Sequence, residues 1–268
     1  MLPKPTSPFR PSFLWLGLAL LFTCRLLATE PSTPAVVINP DEAPDQPALK
    51  LNKEGNADAG FKWKTQEFIK RGKAGPIGLL FVGDSITAGW EKVPELWQAE
   101  FGRWQPANFG IGGDRTEHVL WRIEQGMLDG HPPHVLVLLI GTNNLGRKKD
   151  VAAIFKGQQA IMDQIHRRLP KTKLLIMGVL PRGLDMTNGG VKRMREAITA
   201  MNAKLAQLDD GKLTRFLDIG AGFVDNAGNL NASLVPDGVH PNAEGYKVWA
   251  NALRPVLADL MQDFNPNS

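Results

Sequence analysis

Four short blocks hold residue types able to do acyl chemistry, and they lie far apart along the chain. They are Gly83-Asp84-Ser85 inside LLFVGDSITAGW (79–90), the turn GIGGDRT (110–116), the amide pair of GTNN (141–144), and PDGVHPNAEGY (236–246). A serine hydroxyl is a weak nucleophile until a base takes its proton. His240 is the candidate base for Ser85. Asp237, three residues earlier, is close enough for one turn to place its carboxylate on Nδ1–H and fix the imidazole tautomer. A tetrahedral intermediate also needs hydrogen-bond donors at its oxyanion. Gly113 offers a backbone N–H with no side chain in the way, and Asn143 offers an amide. Ser85 itself, starting a helix after a strand, offers a third N–H.

Such residues act together only if the fold gathers them. Strand-length apolar runs occur at 77–82, 105–109, 134–140, 173–179 and 214–218. The third and fourth are apolar almost throughout, as strands covered on both faces must be. Helix-period segments alternate with them. Asp114 to Gln125 begins with a capping-box-like Asp114 and Glu117. Val151 to Ile165 carries one apolar stripe, Val191 to Leu208 a second and Tyr246 to Leu260 a third; these are packing faces. Strand and helix alternating in this way predict an α/β fold, a parallel sheet with helices on both faces. Ligands of such sheets sit beyond the carboxyl ends of the strands. All four blocks follow predicted strands and fall on that rim.

The 268 residues are 43% hydrophobic and 22% charged, enough for one large domain. Residues 1–28 read as an export signal. Lys4 and Arg10 precede a short apolar run, Arg25 interrupts it, and Ala28 is the expected last residue before cleavage. The run is too short for a bilayer-spanning helix, so no stable membrane span is expected after cleavage, and the destination is secreted or periplasmic. Removing Lys4, Arg10 and Arg25, with no acid, lowers the formal charge from +4 to +1. No basic block with interleaved aromatics suggests nucleic acid. The only cysteine, Cys24, leaves with the signal. Residues 29–58, rich in proline and polar residues, are expected to be a linker, and 59–268 the domain.

The blocks FVGDSIT, NFGIGGDRT, GTNN and DGVH resemble the four sequence blocks of the GDSL, or SGNH, hydrolase superfamily. NFGIGGDRTEHVLWRIEQG (108–126) and LPRG (180–183) add a resemblance to the catalytic subunits of intracellular platelet-activating-factor acetylhydrolases and their bacterial relatives. The resemblance spans Phe61 to Leu260. It implies a flavodoxin-like three-layer α/β/α sandwich of strand order 2-1-3-4-5. It also implies Ser85 as nucleophile, Gly113 and Asn143 as oxyanion donors, and Asp237 with His240 completing a triad. The serine block departs in reading SIT rather than SL, and the export signal departs from an intracellular family.

The expectation is a secreted serine esterase for short-chain esters, acetyl foremost, with Ile86, Thr142 and Val239 lining a small acyl pocket. Its substrate would be an acetylated carbohydrate or lipid, with export favouring carbohydrate. The alternative is a non-catalytic carbohydrate- or lipid-binding module on the same scaffold. No cofactor is expected: a dinucleotide fingerprint fails at Arg115, and no phosphate-binding GxxxxGK[ST] is present. No metal is expected, because HPPH (131–134) precedes a strand, away from the chemistry. His118 and His166 are expected within helices, on the surface or half-buried. Whether a homodimer forms is left open.

Overall fold

The computed structural model describes residues 43–266. The expected export signal and the first part of the linker lie outside them. In chain order the elements are α1 (Ala59–Ala74), β1 (Leu79–Gly83), α2 (Ser85–Ala88), α3 (Pro94–Phe101), β2 (Pro106–Gly110), α4 (Thr116–Glu124), β3 (Val135–Leu139), α5 (Thr142–Gly146), α6 (Val151–Arg168), β4 (Lys173–Met177), α7 (Gly189–Ala206), β5 (Thr214–Leu217) and α8 (Ala243–Leu260). The strands form one parallel sheet in the order β2-β1-β3-β4-β5, as the resemblance implied. Strand order reverses at β1, which lies between β2 and β3, so the crevice for a ligand opens at its carboxyl end.

Successive strand side chains point to opposite faces, and two cores result. Leu80, Val82, Leu136, Leu138 and Ile176 face a layer in which α4, α6 and α7 bury Ile123, Ile161 and Met201. Leu79, Phe81, Val137, Leu175 and Met177 face the other, against Phe101 of α3 and Trp249, Leu253 and Leu257 of α8. Each such aliphatic or aromatic side chain contributes about 1.5–3 kcal/mol relative to leaving it in water. Trp90 sits at the centre of the second core, its ring 4.7 Å from Tyr246 and 5.4 Å from Trp249. Through the Tyr246 hydroxyl, which donates to the Ile86 carbonyl, this cluster touches the residue next to Ser85.

Three local expectations need correction. Residues 44–58 are not an extended tether. The Ala48 N–H donates to the Glu117 carbonyl at 2.9 Å, the Thr116 hydroxyl donates to the Pro44 carbonyl at 2.8 Å, and Leu51 bridges Ala57. The prolines here dock a strap onto α4 rather than hold it in solvent. Secondly, α4 starts at Thr116, not Asp114. The Asp114 carboxylate is drawn into a buried ion pair with Arg122 at 2.9 Å, and Glu117 turns inward to the Asn144 amide at 2.8 Å. Thirdly, His118 is buried: its Nδ1 accepts the Arg115 N–H at 3.2 Å, and its ring lies 5.8 Å from that of Phe61.

Candidate active site

The nucleophile candidate is placed by the end of β1. Gly83 ends the strand so tightly that an added Cβ would lie 2.3 Å from the Leu139 carbonyl oxygen; no larger residue fits without moving β3. Asp84 then caps α2, its Oδ1 accepting the Ile86 N–H at 2.9 Å. Two further bonds hold the short helix from outside. The Tyr246 hydroxyl donates to the Ile86 carbonyl at 2.6 Å, and the Asn108 amide donates to the Thr87 carbonyl at 3.0 Å. Ser85, the first residue of α2, is thus fixed before any substrate arrives.

His240 comes to Ser85 from the other end of the chain. The loop before α8 folds on Asp237, whose Oδ1 accepts the N–H groups of Val239 at 2.9 Å and His240 at 2.7 Å. Its Oδ2 lies 2.7 Å from His240 Nδ1, and His240 Nε2 lies 2.9 Å from Ser85 Oγ. The hydroxyl of one block and the imidazole and carboxylate of another therefore form one continuous hydrogen-bonded chain. Burial pushes the Asp237 carboxyl upward, but the His240 and Val239 hydrogen bonds outweigh it and hold the group at about 2. It stays ionised through the range in which an imidazole works.

The two asparagines of GTNN divide their tasks. Asn144 is buried and ties α5 to α4, accepting the Thr116 N–H at 3.1 Å and donating to Glu117. Asn143 stays near the rim and donates one amide hydrogen to the Asp114 carbonyl at 2.8 Å, leaving the other hydrogen for a ligand. Gly113 lies in the turn just before Asp114, exposed, with φ of +74°. The acyl-pocket expectation fares unevenly. Val239 lines a cavity of about 610 Å³ with Asp237, Arg182, Lys148, Val191 and Met194. Ile86 is 2% exposed and packs into the aromatic core, because α2 turns it away from the rim. Thr142 is also buried, its carbonyl accepting from Arg182 at 3.0 Å. A second cavity, of about 550 Å³, is lined by His240, Pro241, Tyr246, Lys92 and Val93.

Supporting residues that the sequence did not single out include Arg122, Tyr246 and Asn108. Arg122 is completely buried and donates to the carbonyls of Phe109 at 2.8 Å and Gly83 at 3.3 Å while pairing with Asp114. One guanidinium thus fastens the ends of β1 and β2 to the glycine turn. Its only advance signal was its place inside the quoted block 108–126.

Asp84 is buried, and burial pushes its carboxyl from 3.8 to about 7, with the Ile86 N–H opposing and nearby Asp114 assisting. The sign of the consequence follows from linkage. A raised folded-state value means the native protein binds this proton more tightly, so stability falls as pH rises from about 4 through 7. Asp84→Asn removes that titration while retaining an oxygen for Ile86. The variant should therefore gain in Tm relative to the parent as pH rises from about 5 to 8. A Tm difference that is flat across those pH values counts against a buried, protonating Asp84.

Comparison with known proteins accords with this geometry. A model of the GDSL-like lipase/acylhydrolase family matches residues 81–248. The chain is 32% identical over 204 residues to the rat platelet-activating factor acetylhydrolase IB subunit alpha2, covering 75% of this chain and 86% of that protein. It is 30% identical to the human alpha1 subunit, covering 81% and 92%. Among solved structures, a GDSL-like lipase from Bacteroides thetaiotaomicron superposes with a TM-score of 0.61 at 21% identity, covering 75% of this chain and 98% of that one. An acetyl-xylooligosaccharide esterase from Geobacillus superposes at 0.54 and 20% identity, covering 70% and 94%. With the four blocks on one rim of the sheet and these matches spanning most of its length, the chain belongs to the GDSL-like lipase/acylhydrolase family and with it to the carboxylic ester hydrolases.

Proposed function

We propose that the protein is an exported serine esterase that removes short acyl groups, acetyl foremost, through Ser85, His240 and Asp237. The observation that carries this is the unbroken chain of hydrogen bonds from Ser85 Oγ through the imidazole to Asp237, at 2.9 and 2.7 Å. Ser85 Oγ attacks the ester carbonyl as its proton passes to His240 Nε2. The Gly113 N–H, the second amide hydrogen of Asn143 and the Ser85 N–H receive the developing oxyanion. Collapse of the intermediate breaks the bond to the alcohol, which leaves with the proton from Nε2. Water, deprotonated by the same nitrogen, then releases the acid and restores Ser85.

Acetyl as the favoured acyl group is supported by the acetylhydrolase subunits at 30–32% identity. Export is supported by Lys4 and Arg10 before an apolar run that Arg25 interrupts, with Ala28 as the expected cleavage residue. An exported enzyme meets acetylated carbohydrate more readily than cytoplasmic lipid, so we favour a carbohydrate ester.

A fluorophosphonate should label the purified protein at Ser85, and p-nitrophenyl acetate should be cleaved faster than the octanoate. A folded protein that never labels would instead be a binding module, and preference for octanoate would overturn the short-acyl assignment. Acetate release from acetylated xylan, set against a short-acyl phospholipid, separates carbohydrate from lipid.

A further inference from the structure

The turn that would offer the Gly113 N–H has no means of its own to aim it. Residues 111–114 form a β-turn closed by the Asp114 N–H donating to the Ile111 carbonyl at 3.1 Å. The φ of +74° at its third residue is the type II signature. Types I and II differ mainly by rotation of the central peptide, here the amide joining Gly112 to Gly113. With glycine on both sides, neither orientation is sterically excluded. That amide is planar and trans, so its C=O and N–H point in opposite directions. Wherever the Gly112 carbonyl is held, the Gly113 N–H faces the other way. In the flipped turn, a carbonyl oxygen would stand where a donor is required.

We infer that Lys50 is a positioning residue that locks this peptide in the donor orientation, an inference that rests on the serine esterase reading above. Its ammonium donates to the Gly112 carbonyl and, at 3.3 Å, to Asp114 Oδ1, gripping both the central peptide and the last residue of the turn. The Lys50 side chain is only 15% exposed and lies over the Phe61 ring at 5.7 Å, so it is held rather than swinging in solvent.

Its backbone is fixed as well. The Lys50 carbonyl accepts the Asp58 N–H at 2.9 Å, and two residues earlier Ala48 is bonded to Glu117 of α4. An added Cβ at Gly112 would meet the Ser85 Cβ at 3.8 Å, so the turn is in contact distance of the nucleophile. A cation on the carbonyl also polarises the amide and strengthens its N–H as a donor. Lys50 lies outside the segment 81–248 matched by the family model. The strap before the domain thus supplies a part that the four motif blocks do not contain.

The test compares Lys50→Met, which keeps the length and loses the charge, with Lys50→Arg, which keeps a donor. Active sites are counted by fluorophosphonate labelling, so that misfolded protein does not enter the rate. Per labelled site, Lys50→Met should lower kcat for p-nitrophenyl acetate about tenfold or more, below the 10²–10³ typical of deleting an oxyanion donor outright. KM should stay within about twofold, since the effect belongs to the tetrahedral state. Affinity for a boronic acid that forms a tetrahedral adduct with serine should fall by the same factor as kcat. Lys50→Arg should recover most of both. Unchanged kcat per site in Lys50→Met, whether with full labelling or with fewer sites, overturns the clamp. So does a rise confined to KM. A parent protein that neither labels nor hydrolyses any ester refutes the esterase reading first, and the clamp with it.

Discussion

Ser85→Ala is expected to lower kcat by about 10⁴–10⁶ while leaving the fold and ester binding intact. The loss is large because the bond from Oγ to the acyl carbon, and hence the acyl-enzyme, can no longer form. It is clean because the side chain carries little structure. Among the described residues its Oγ bonds only to His240 Nε2. The surrounding helix is held by Asp84, Tyr246 and Asn108 through groups that the substitution does not touch. Thermal melting should therefore shift little. Steady-state hydrolysis of p-nitrophenyl acetate measures the loss; residual turnover within about a hundredfold of the parent would mean that another group is the nucleophile.

Asp237→Asn is expected to cost nearly as much, about 10⁴ in kcat, the effect seen when a triad histidine is forced into the wrong tautomer. The local hydrogen bonds say why the amide cannot simply substitute. Oδ1 accepts two backbone N–H groups, from Val239 and His240. An asparagine must keep its carbonyl oxygen there, which puts its NH₂ where Oδ2 now meets His240 Nδ1 at 2.7 Å. Nδ1 then becomes the acceptor and Nε2 carries the hydrogen. That nitrogen can no longer take the proton of Ser85. KM should stay close to the parent value, and the geometry of the loop should survive. A loss below about tenfold would show that the carboxylate is dispensable.

Much of this site was legible in the chain because Ser85, Gly113 and Asn143 follow closely on strand ends, which are marked by apolar runs stopping at glycine, while Asp237 and His240 share one short block before α8. The parallel sheet followed from Leu80, Val82, Leu136 and Leu138 being buried on one face while Leu79, Phe81, Val135 and Val137 are buried on the other. The helix α1 was not legible: Phe61 and Phe68 sit among lysines, and its face is defined by stacking against partners such as Phe109, 4.5 Å away, that are remote in sequence. The strap had the same defect. The strap makes the Pro44 and Ala48 contacts with its own backbone groups, which leave no pattern of residue types in it. Ile86 misled for another reason. Adjacency to Ser85 suggested a shared surface, but consecutive residues of a helix diverge by about 100°, and one of the two enters the core.

Ser85 and His240 are 155 positions apart, joined only when the loop before α8 reaches across to the end of β1. A chain emerging from the ribosome with all five strands already paired would carry an ordinary alcohol at position 85. On the mechanism proposed above, reactivity would arrive only when the loop before α8 docks, so partly made or clipped molecules lacking it should be harmless to the esters around them.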